Sequence, residues 1–321
     1  MSQSPPRPRS IFLGSPDFAV PCLRALAEIS DVALCITQPD KPAGRGLKLR
    51  PPAVKVASVE LGIECIQPRK VRDGTLAERM RAVQADVAIV VAYGRILPRE
   101  VLDAPRLGCL NVHASILPRW RGAAPINWAV VAGDDVSGVT LMRMDEGLDT
   151  GPTLATREIS ISAAMTAGDL NAALSELGGS LLREALPEFL RGSLVETPQN
   201  DALATKASLL TREHGRVVWS GSALEVHNHI RGFVPWPGAW TVWGDKRVKL
   251  HQARVDVGMG DWGIPGTVLQ ADARGLKIAC GPGILEVLEL QLEGRKRMSA
   301  MAFVAGKSLA VGDRFGQESE R

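Results

Sequence analysis

Over the first 190 residues, short apolar runs alternate with longer stretches in which apolar residues recur every three to four positions. The runs are "SIFLG" (10–14), "VALCITQ" (32–38), "ECIQP" (64–68), "DVAIVVAYG" (86–94), "GCLNVHAS" (108–115) and "GVTLMRM" (138–144), and each reads as a strand. Between them "SPDFAVPCLRALAE" (15–28) reads as a turn into a helix. Further helices are predicted from about Ala53 to Leu61, over "GTLAERMRAVQA" (74–85) and over the closing segment 168–190. Apolar runs alternating with helices predict an α/β domain, a mostly parallel sheet covered by helices on both faces. In such sheets ligands bind beyond the carboxyl ends of the strands.

The pattern changes after residue 190. Residues 191–208 are polar and lack a period, so they read as a linker. One short helix, "SALEVHNHIRG", then precedes "PWPGAW" and a series of short β-like runs, "VKLHQARV", "GTVLQAD", "GLKIACG" and "GILEVLELQ". Short strands at close spacing predict a small barrel such as the OB type over 209–321. The expected organisation is a disordered tail (1–9), an α/β domain (10–190), the linker (191–208) and the barrel domain (209–321).

Length and composition fit this division. The 321 residues suffice for two domains, and 45% apolar with 23% charged residues is ordinary for globular chains. The net charge of +3 is too mild to demand a nucleic acid. Its distribution says more: residues 205–321 hold 16 Lys and Arg against 12 Asp and Glu, so contact with a polyanion would lean on the back half. Cys22, Cys35, Cys65, Cys109 and Cys280 form no CxxC pair and read as buried thiols. The Pro/Arg-rich start lacks the apolar core of a signal peptide, and no apolar stretch reaches about 18 residues. A cytoplasmic location without a membrane span is the expectation.

The candidate chemistry sits where the fifth predicted strand ends. Asn111 and His113 are two residues apart, so on a strand both point to one face. An amide can donate to a developing oxyanion, and an imidazole can take or give a proton near neutral pH. The same spacing fits a strand-end pair that merely satisfies loop carbonyls. After "GVTLMRM" the chain runs into an acidic, Gly-broken turn with Asp145, Glu146 and Asp149. A carboxylate there reaches His113 from the neighbouring strand end, or it closes an Asx turn on its own backbone. No covalent nucleophile accompanies the pair, because Ser115 lacks the G-x-S-x-G elbow. Direct transfer between two bound substrates is therefore the expected chemistry.

Other signals bound the ligands. "FLGSPDFA" occupies the place of a dinucleotide loop with one glycine, which argues against a nicotinamide or flavin cofactor. No residues stand at metal-ligand spacing, so no metal is expected. The stretch 115–134 can form a rigid rim around a flat heteroaromatic ligand, or a plain connection into a helix. Between Thr37 and Arg50, Lys41, Arg45, Lys48 and Arg50 face Asp40 alone, with two prolines and two glycines that forbid regular structure. Such a basic loop suits polyphosphate or an RNA backbone, or stays solvated.

"NVHASILPRWRGAAPINWAV" followed by "GVTLMRMDEGLDTGP" resembles the signature of the folate-dependent formyltransferases, and the likeness runs from about Ser10 to Phe315. "TQPDKPAGRG" and "PWPGAW" are similar to the branch of that family that acts on methionyl-tRNA. The resemblance implies a Rossmann-like catalytic core followed by an OB-like tRNA-binding domain. It implies transfer of a formyl group from 10-formyltetrahydrofolate to the α-amino group of methionyl initiator tRNA. Asn111, His113 and Asp149 match the family's catalytic positions. Ser115, Ile116, Leu117 and Pro118 match its folate-binding run, and the stretch holding Val91 and Tyr93 matches the backbone that faces the pterin. Arg45, with Lys41, Lys48 and Arg50 around it, matches the loop that meets the acceptor-stem end of the tRNA. A monomer is expected. The chain departs from the family's pattern at Leu209, where relatives carry lysine, and at Val218, where they carry an acid. Two rivals stay open: a formyltransferase acting on an amino-sugar nucleotide, and a non-catalytic RNA-binding protein on the same scaffold.

Overall fold

The structure, a computed structural model, describes residues 7–43, 48–256, 262–306 and 309–317. Arg45 and the first six residues of the tail lie outside the described residues, as does the side chain of Lys48. The chain divides into two compact units, one of Met1–Pro125, Val136–Ser160 and Asn171–Ser208, the other of Ile126–Asp135, Ile161–Leu170 and Leu209–Arg321.

The elements run in order as β1 (Arg9–Gly14), α1 (Val20–Ile29), β2 (Asp31–Ile36), β3 (Lys41–Ala43), β4 (Lys48–Arg50), α2 (Ala53–Glu60), β5 (Cys65–Ile66), α3 (Thr75–Val83), β6 (Val87–Val91), α4 (Arg99–Leu102), β7 (Cys109–His113) and β8 (Arg121–Gly122). Then follow α5 (Pro125–Ala132), β9 (Val136–Arg143), β10 (Thr153–Ser160), α6 (Ala167–Leu190) and β11 (Lys206–Ala207). The second unit adds α7 (Ala223–Gly232), β12 (Ala239–Trp243), β13 (Lys246–Asp256), β14 (Val268–Asp272), β15 (Gly275–Ala279), β16 (Ile284–Leu292), β17 (Met298–Ser299) and α8 (Ala300–Ala305).

The first unit is built on a seven-stranded sheet in the order β10-β9-β7-β6-β1-β2-β5. From β7 to β5 every pairing is parallel, and β9 and β10 add antiparallel strands at one side. β6, "VAIVV", is buried at all five positions, as a strand covered on both faces must be. The chain leaves β1 for β2 on one side and returns to β6 on the other, so the order reverses between β1 and β6. At that crevice a Cβ on Gly14 would lie 2.9 Å from the carbonyl oxygen of Val91, so the two strand ends meet only because residue 14 has no side chain. β10 carries "TLATREIS" and has no fully buried position, so it lacks the apolar density that marks the other strands.

The segment 191–208 is tied to this unit. Thr197 bridges Thr153 in antiparallel fashion, and β11 pairs in parallel with β8. Part of its backbone hydrogen bonding is thus made within the first unit, although its sequence shows no strand period.

In the second unit the strands run β12-β13-β16-β15-β14, with β17 on β16. The edges β12 and β14 are joined by the end of the chain. Phe315 bridges Trp243, and Arg314 bridges Thr267. The Phe315 N–H donates to the Gly266 carbonyl at 2.9 Å, and the Gly316 N–H to that of Val242 at 2.9 Å. The result is a small closed β-structure filled by Trp219, Leu250, Ile278, Leu285, Phe303 and Phe315. α7 opens with a capping box in which Ser222 and Glu225 satisfy each other's backbone N–H groups. No helix among the described residues is long and apolar enough to cross a membrane.

Candidate active site

β7 places the site because of its neighbours. It lies between β6 and β9, with Asn111 opposite Val90 on one side and Met142 on the other. Val112 points to the face covered by α6, where a Cβ on Gly178 would come within 3.2 Å of its Cγ1. Asn111 and His113 therefore point to the opposite face, at the carboxyl end of the strand.

Asp149 meets them there. Its Oδ1 lies 3.5 Å from Nδ2 of Asn111, which donates to it, and 3.7 Å from Nδ1 of His113. Its Oδ2 accepts the Gly122 N–H at 2.8 Å. The side chain of His113 is 6% exposed and that of Asp149 15%, so both act in a partly desolvated setting. The turn does not consume Asp149. Asp145 does that work instead, accepting the Gly147 N–H at 3.0 Å and the Thr150 hydroxyl at 2.8 Å. Asp149 itself sits at φ 55, a left-handed conformation that aspartate and asparagine tolerate better than most residues.

The imidazole has a defined tautomer. Nε2 of His113 is 3.0 Å from the carbonyl oxygen of Trp120, which can only accept, so Nε2 carries the hydrogen. Nδ1 then presents its lone pair beside the carboxylate, too far from it for a hydrogen bond. At this separation the carboxylate does not grip a ring N–H as the third member of a triad does. The main-chain carbonyl of Trp120 orients the ring instead.

Residues of the 191–208 segment lock the two loops that carry these groups. Gln199 Nε2 donates to the carbonyls of Asp149 (2.8 Å) and Gly151 (2.7 Å). Its Oε1 accepts from Arg121 Nε at 3.0 Å and Nη2 at 2.8 Å. The Trp120 N–H donates to the Thr205 hydroxyl at 2.8 Å, and the Ala123 N–H to the Ala207 carbonyl at 2.8 Å. Gly122 at φ 127 passes so close to β11 that a Cβ would be 2.4 Å from the Ala207 oxygen. Sequence reasoning missed Gln199 and Thr205, because isolated polar residues in an aperiodic stretch give no signal.

The 115–118 run forms a tight loop beside the pair. Ser115 is buried and its hydroxyl donates to the Arg119 carbonyl at 2.6 Å. Thr140 donates to the Ser115 carbonyl at 2.7 Å, while Leu117 is buried and Ile116 and Pro118 are half-buried. Val91 and Tyr93 bury their side chains in the sheet, so anything they offer a ligand comes from the main chain. Burial pushes the Tyr93 phenol above its usual range against the pull of Arg95, and its hydroxyl has no partner among the described residues. The Tyr93 carbonyl accepts from Gln38 Nε2 at 3.0 Å.

Against the expectation that its prolines and glycines forbid regular structure, the basic loop opens as the antiparallel pair β3–β4, with Lys41 opposite Arg50 and both exposed. At its base Asp40 is bound by Gln67 Nε2 (2.7 Å) and Lys55 Nζ (2.9 Å), and these hold its carboxyl below the usual range. Leu209 and Val218, the two departures, are 72% and 64% exposed. Among the described residues no three His, Cys, Asp or Glu side chains are grouped to hold a metal ion.

Comparison with known proteins places this geometry. The formyl transferase family model matches residues 9–186, and the model of the formyl transferase C-terminal domain matches 209–308. A methionyl-tRNA formyltransferase of Sorangium cellulosum is 48% identical over 305 residues, covering 95% of this chain and 98% of the relative. Among solved structures, an N-formyltransferase from Helicobacter canadensis in complex with folinic acid and dTDP-3-aminofucose aligns with a TM-score of 0.66 at 17% identity, over 87% of this chain and 99% of that one. HypX from Aquifex aeolicus in complex with tetrahydrofolic acid aligns at 0.59 and 20% identity over 93% of this chain, which spans 47% of HypX. At those identities the structures speak for the fold alone. The two family matches and the full-length relative establish that the chain belongs to the formyltransferase family, as one of its methionyl-tRNA formyltransferases.

Proposed function

We propose that this enzyme moves the formyl group of 10-formyltetrahydrofolate onto the α-amino group of methionyl initiator tRNA, with Asn111, His113 and Asp149 at the reacting atoms. The observation that carries the assignment of roles is their convergence within 3.7 Å at the carboxyl end of β7. A free α-amino group has a pKa of about 8, and the electron-withdrawing ester of an aminoacyl-tRNA lowers it, so a substantial share of the acceptor is uncharged near neutral pH.

The amine adds to the formyl carbon, forming a C–N bond as the carbonyl oxygen gains charge. Asn111 Nδ2 donates to that oxygen with the N–H not directed at Asp149. Nδ1 of His113, with Nε2–H held by Trp120, takes the proton the amine loses. Asp149 stands beside the imidazolium so formed. Collapse breaks the bond from the formyl carbon to N10 of the folate, and the proton on His113 goes to that nitrogen. The crevice between β1 and β6 and the half-buried rim of Ile116 and Pro118 suit the flat pterin. Main-chain groups at Val91–Tyr93 and the 115–118 loop would supply its polar contacts. Lys41, Arg45, Lys48 and Arg50 would meet the tRNA backbone, with the domain 209–321 giving further contact.

Formylation assays test the acceptor. 10-Formyltetrahydrofolate is offered with methionyl-tRNA or with an amino-sugar nucleotide. Formylmethionyl-tRNA is the expected product. Formylation of the sugar, or hydrolysis of the formyl-folate with neither acceptor used, would overturn the reading.

A further inference from the structure

Two of the five cysteines stand side by side outside the active site. β2 and β5 pair in parallel with Cys35 directly opposite Cys65, and the Cys35 N–H donates to the Glu64 carbonyl at 2.8 Å. Neighbouring strands lie about 4.8 Å apart and opposed side chains leave the same face of the sheet, so the Cα separation falls inside the window of about 4.4–6.8 Å that a disulfide requires. The two thiols perturb each other's ionisation across the paired strands.

The members of the pair differ in access. Cys65 lies at the end of the sheet and is partly exposed, whereas Cys35 is fully buried. We propose that Cys65 and Cys35 form a peroxide-reactive dithiol site, in which Cys65 is the attacking sulfur and Cys35 the resolving one.

The surroundings support those roles. The Cys65 thiol is pulled down to about 6, first because Cys35 donates a hydrogen bond to it, and further by Ser58, Thr37 and the Lys55 ammonium, against the effect of burial. Cys35 is pushed up by its neighbour Cys65 and by burial. The thiolate is the nucleophile in such chemistry. The remaining thiols give no competition: Cys22, Cys109 and Cys280 are buried, and burial pushes each up to about 12.

The steps balance with a hydroperoxide as oxidant. The Cys65 sulfur attacks one peroxide oxygen, an S–O bond forms, the O–O bond breaks and hydroxide leaves. The Cys35 sulfur then attacks the Cys65 sulfur, an S–S bond forms, the S–O bond breaks, and water leaves with the Cys35 proton while the hydroxide recovers one from solvent. Two thiols lose two electrons in all, and the peroxide gains them.

Hydrogen peroxide at a few equivalents tests the site on the full-length protein. The expected result is a loss of about 2 Da from the intact mass, a proteolytic peptide linking residue 35 to residue 65, and recovery of the starting mass with dithiothreitol. The C35S variant should stop at a Cys65 sulfenic acid, trapped by dimedone, and C65S should leave Cys35 reduced at the same peroxide dose. Wild-type protein that keeps all its thiols, a link formed between other cysteines, or Cys35 oxidised as fast in C65S as in wild type would overturn the proposal. The wild-type mass measurement decides the question even if a variant folds poorly.

Discussion

Replacing Asp149 by asparagine isolates the charge of the site from its shape. Asparagine is isosteric, tolerates the φ of 55 at this position, and its Oδ1 can still accept the Gly122 N–H now held at 2.8 Å. What disappears is the negative charge 3.7 Å from Nδ1 of His113, together with the long 3.5 Å contact by which Asp149 accepts from Asn111 Nδ2. At that separation the attraction between carboxylate and imidazolium is about 4 kcal/mol for an effective dielectric of about 20. If the imidazolium forms in the transition state and not before, most of that attraction is lost from the barrier. At about 1.4 kcal/mol per tenfold, the rate should fall about 10²- to 10³-fold. The assay is single-turnover formylation of methionyl-tRNA with enzyme and 10-formyltetrahydrofolate both saturating. Folate affinity, measured by fluorescence titration, and Tm should stay close to wild type. A D149N enzyme within about threefold of the wild-type rate would refute the claim that Asp149 works through its charge.

Other outcomes follow from the same geometry. Gln199→Ala removes the donors that hold the Asp149 and Gly151 carbonyls, each net about 1 kcal/mol, so kcat should fall at least tenfold with folate KM unchanged, and Gln199→Glu should not restore it. Equal losses in kcat and Tm-matched global stability, erased by lowering the temperature, would show a merely structural role. Lys41→Ala with Arg50→Ala should reduce the slope of log affinity for tRNA against log salt by about 1 to 2 and spare folate binding, and an unchanged slope would argue against phosphate contact. His227, His229 and His251 are all held below their usual range, chiefly by burial, so they favour the neutral ring when folded. Their contribution to stability is complete above about pH 6.5 and is lost as the pH falls below that value, because the unfolded chain then binds more protons. Tm should therefore drop between pH 7 and pH 5, and replacing the three by glutamine should flatten that drop.

The placement of the pair was legible in the pattern, whereas the roles of its residues came only from the family resemblance. The period of two put Asn111 and His113 on one face, and the alternation of strands with helices put that face at the carboxyl edge of a sheet. Asp149 was harder. Three acids share its turn and composition does not separate them; the family resemblance singles out Asp149, and the coordinates show Asp145 closing the turn while Asp149 faces the imidazole. The tautomer of His113 was not legible, since it depends on the Trp120 carbonyl, a main-chain atom without a sequence mark. Gln199 was hidden for a related reason: its role comes from side-chain hydrogen bonds to carbonyls some fifty residues away in the chain. At the level of fold, β10 escaped notice because a solvent-facing edge strand needs few apolar residues. The bridge of Arg314 and Phe315 escaped because two residues are too few to carry a period.

The central claim is that Asn111, His113 and Asp149 act together on one formyl group, with the Asn111 amide stabilising the oxyanion. Single-turnover formylation by Asn111→Ala, with methionyl-tRNA and 10-formyltetrahydrofolate saturating, tests it most directly. A fall of about 10²- to 10³-fold with unaltered folate affinity is the predicted result. A variant that formylates methionyl-tRNA at the wild-type rate would contradict it.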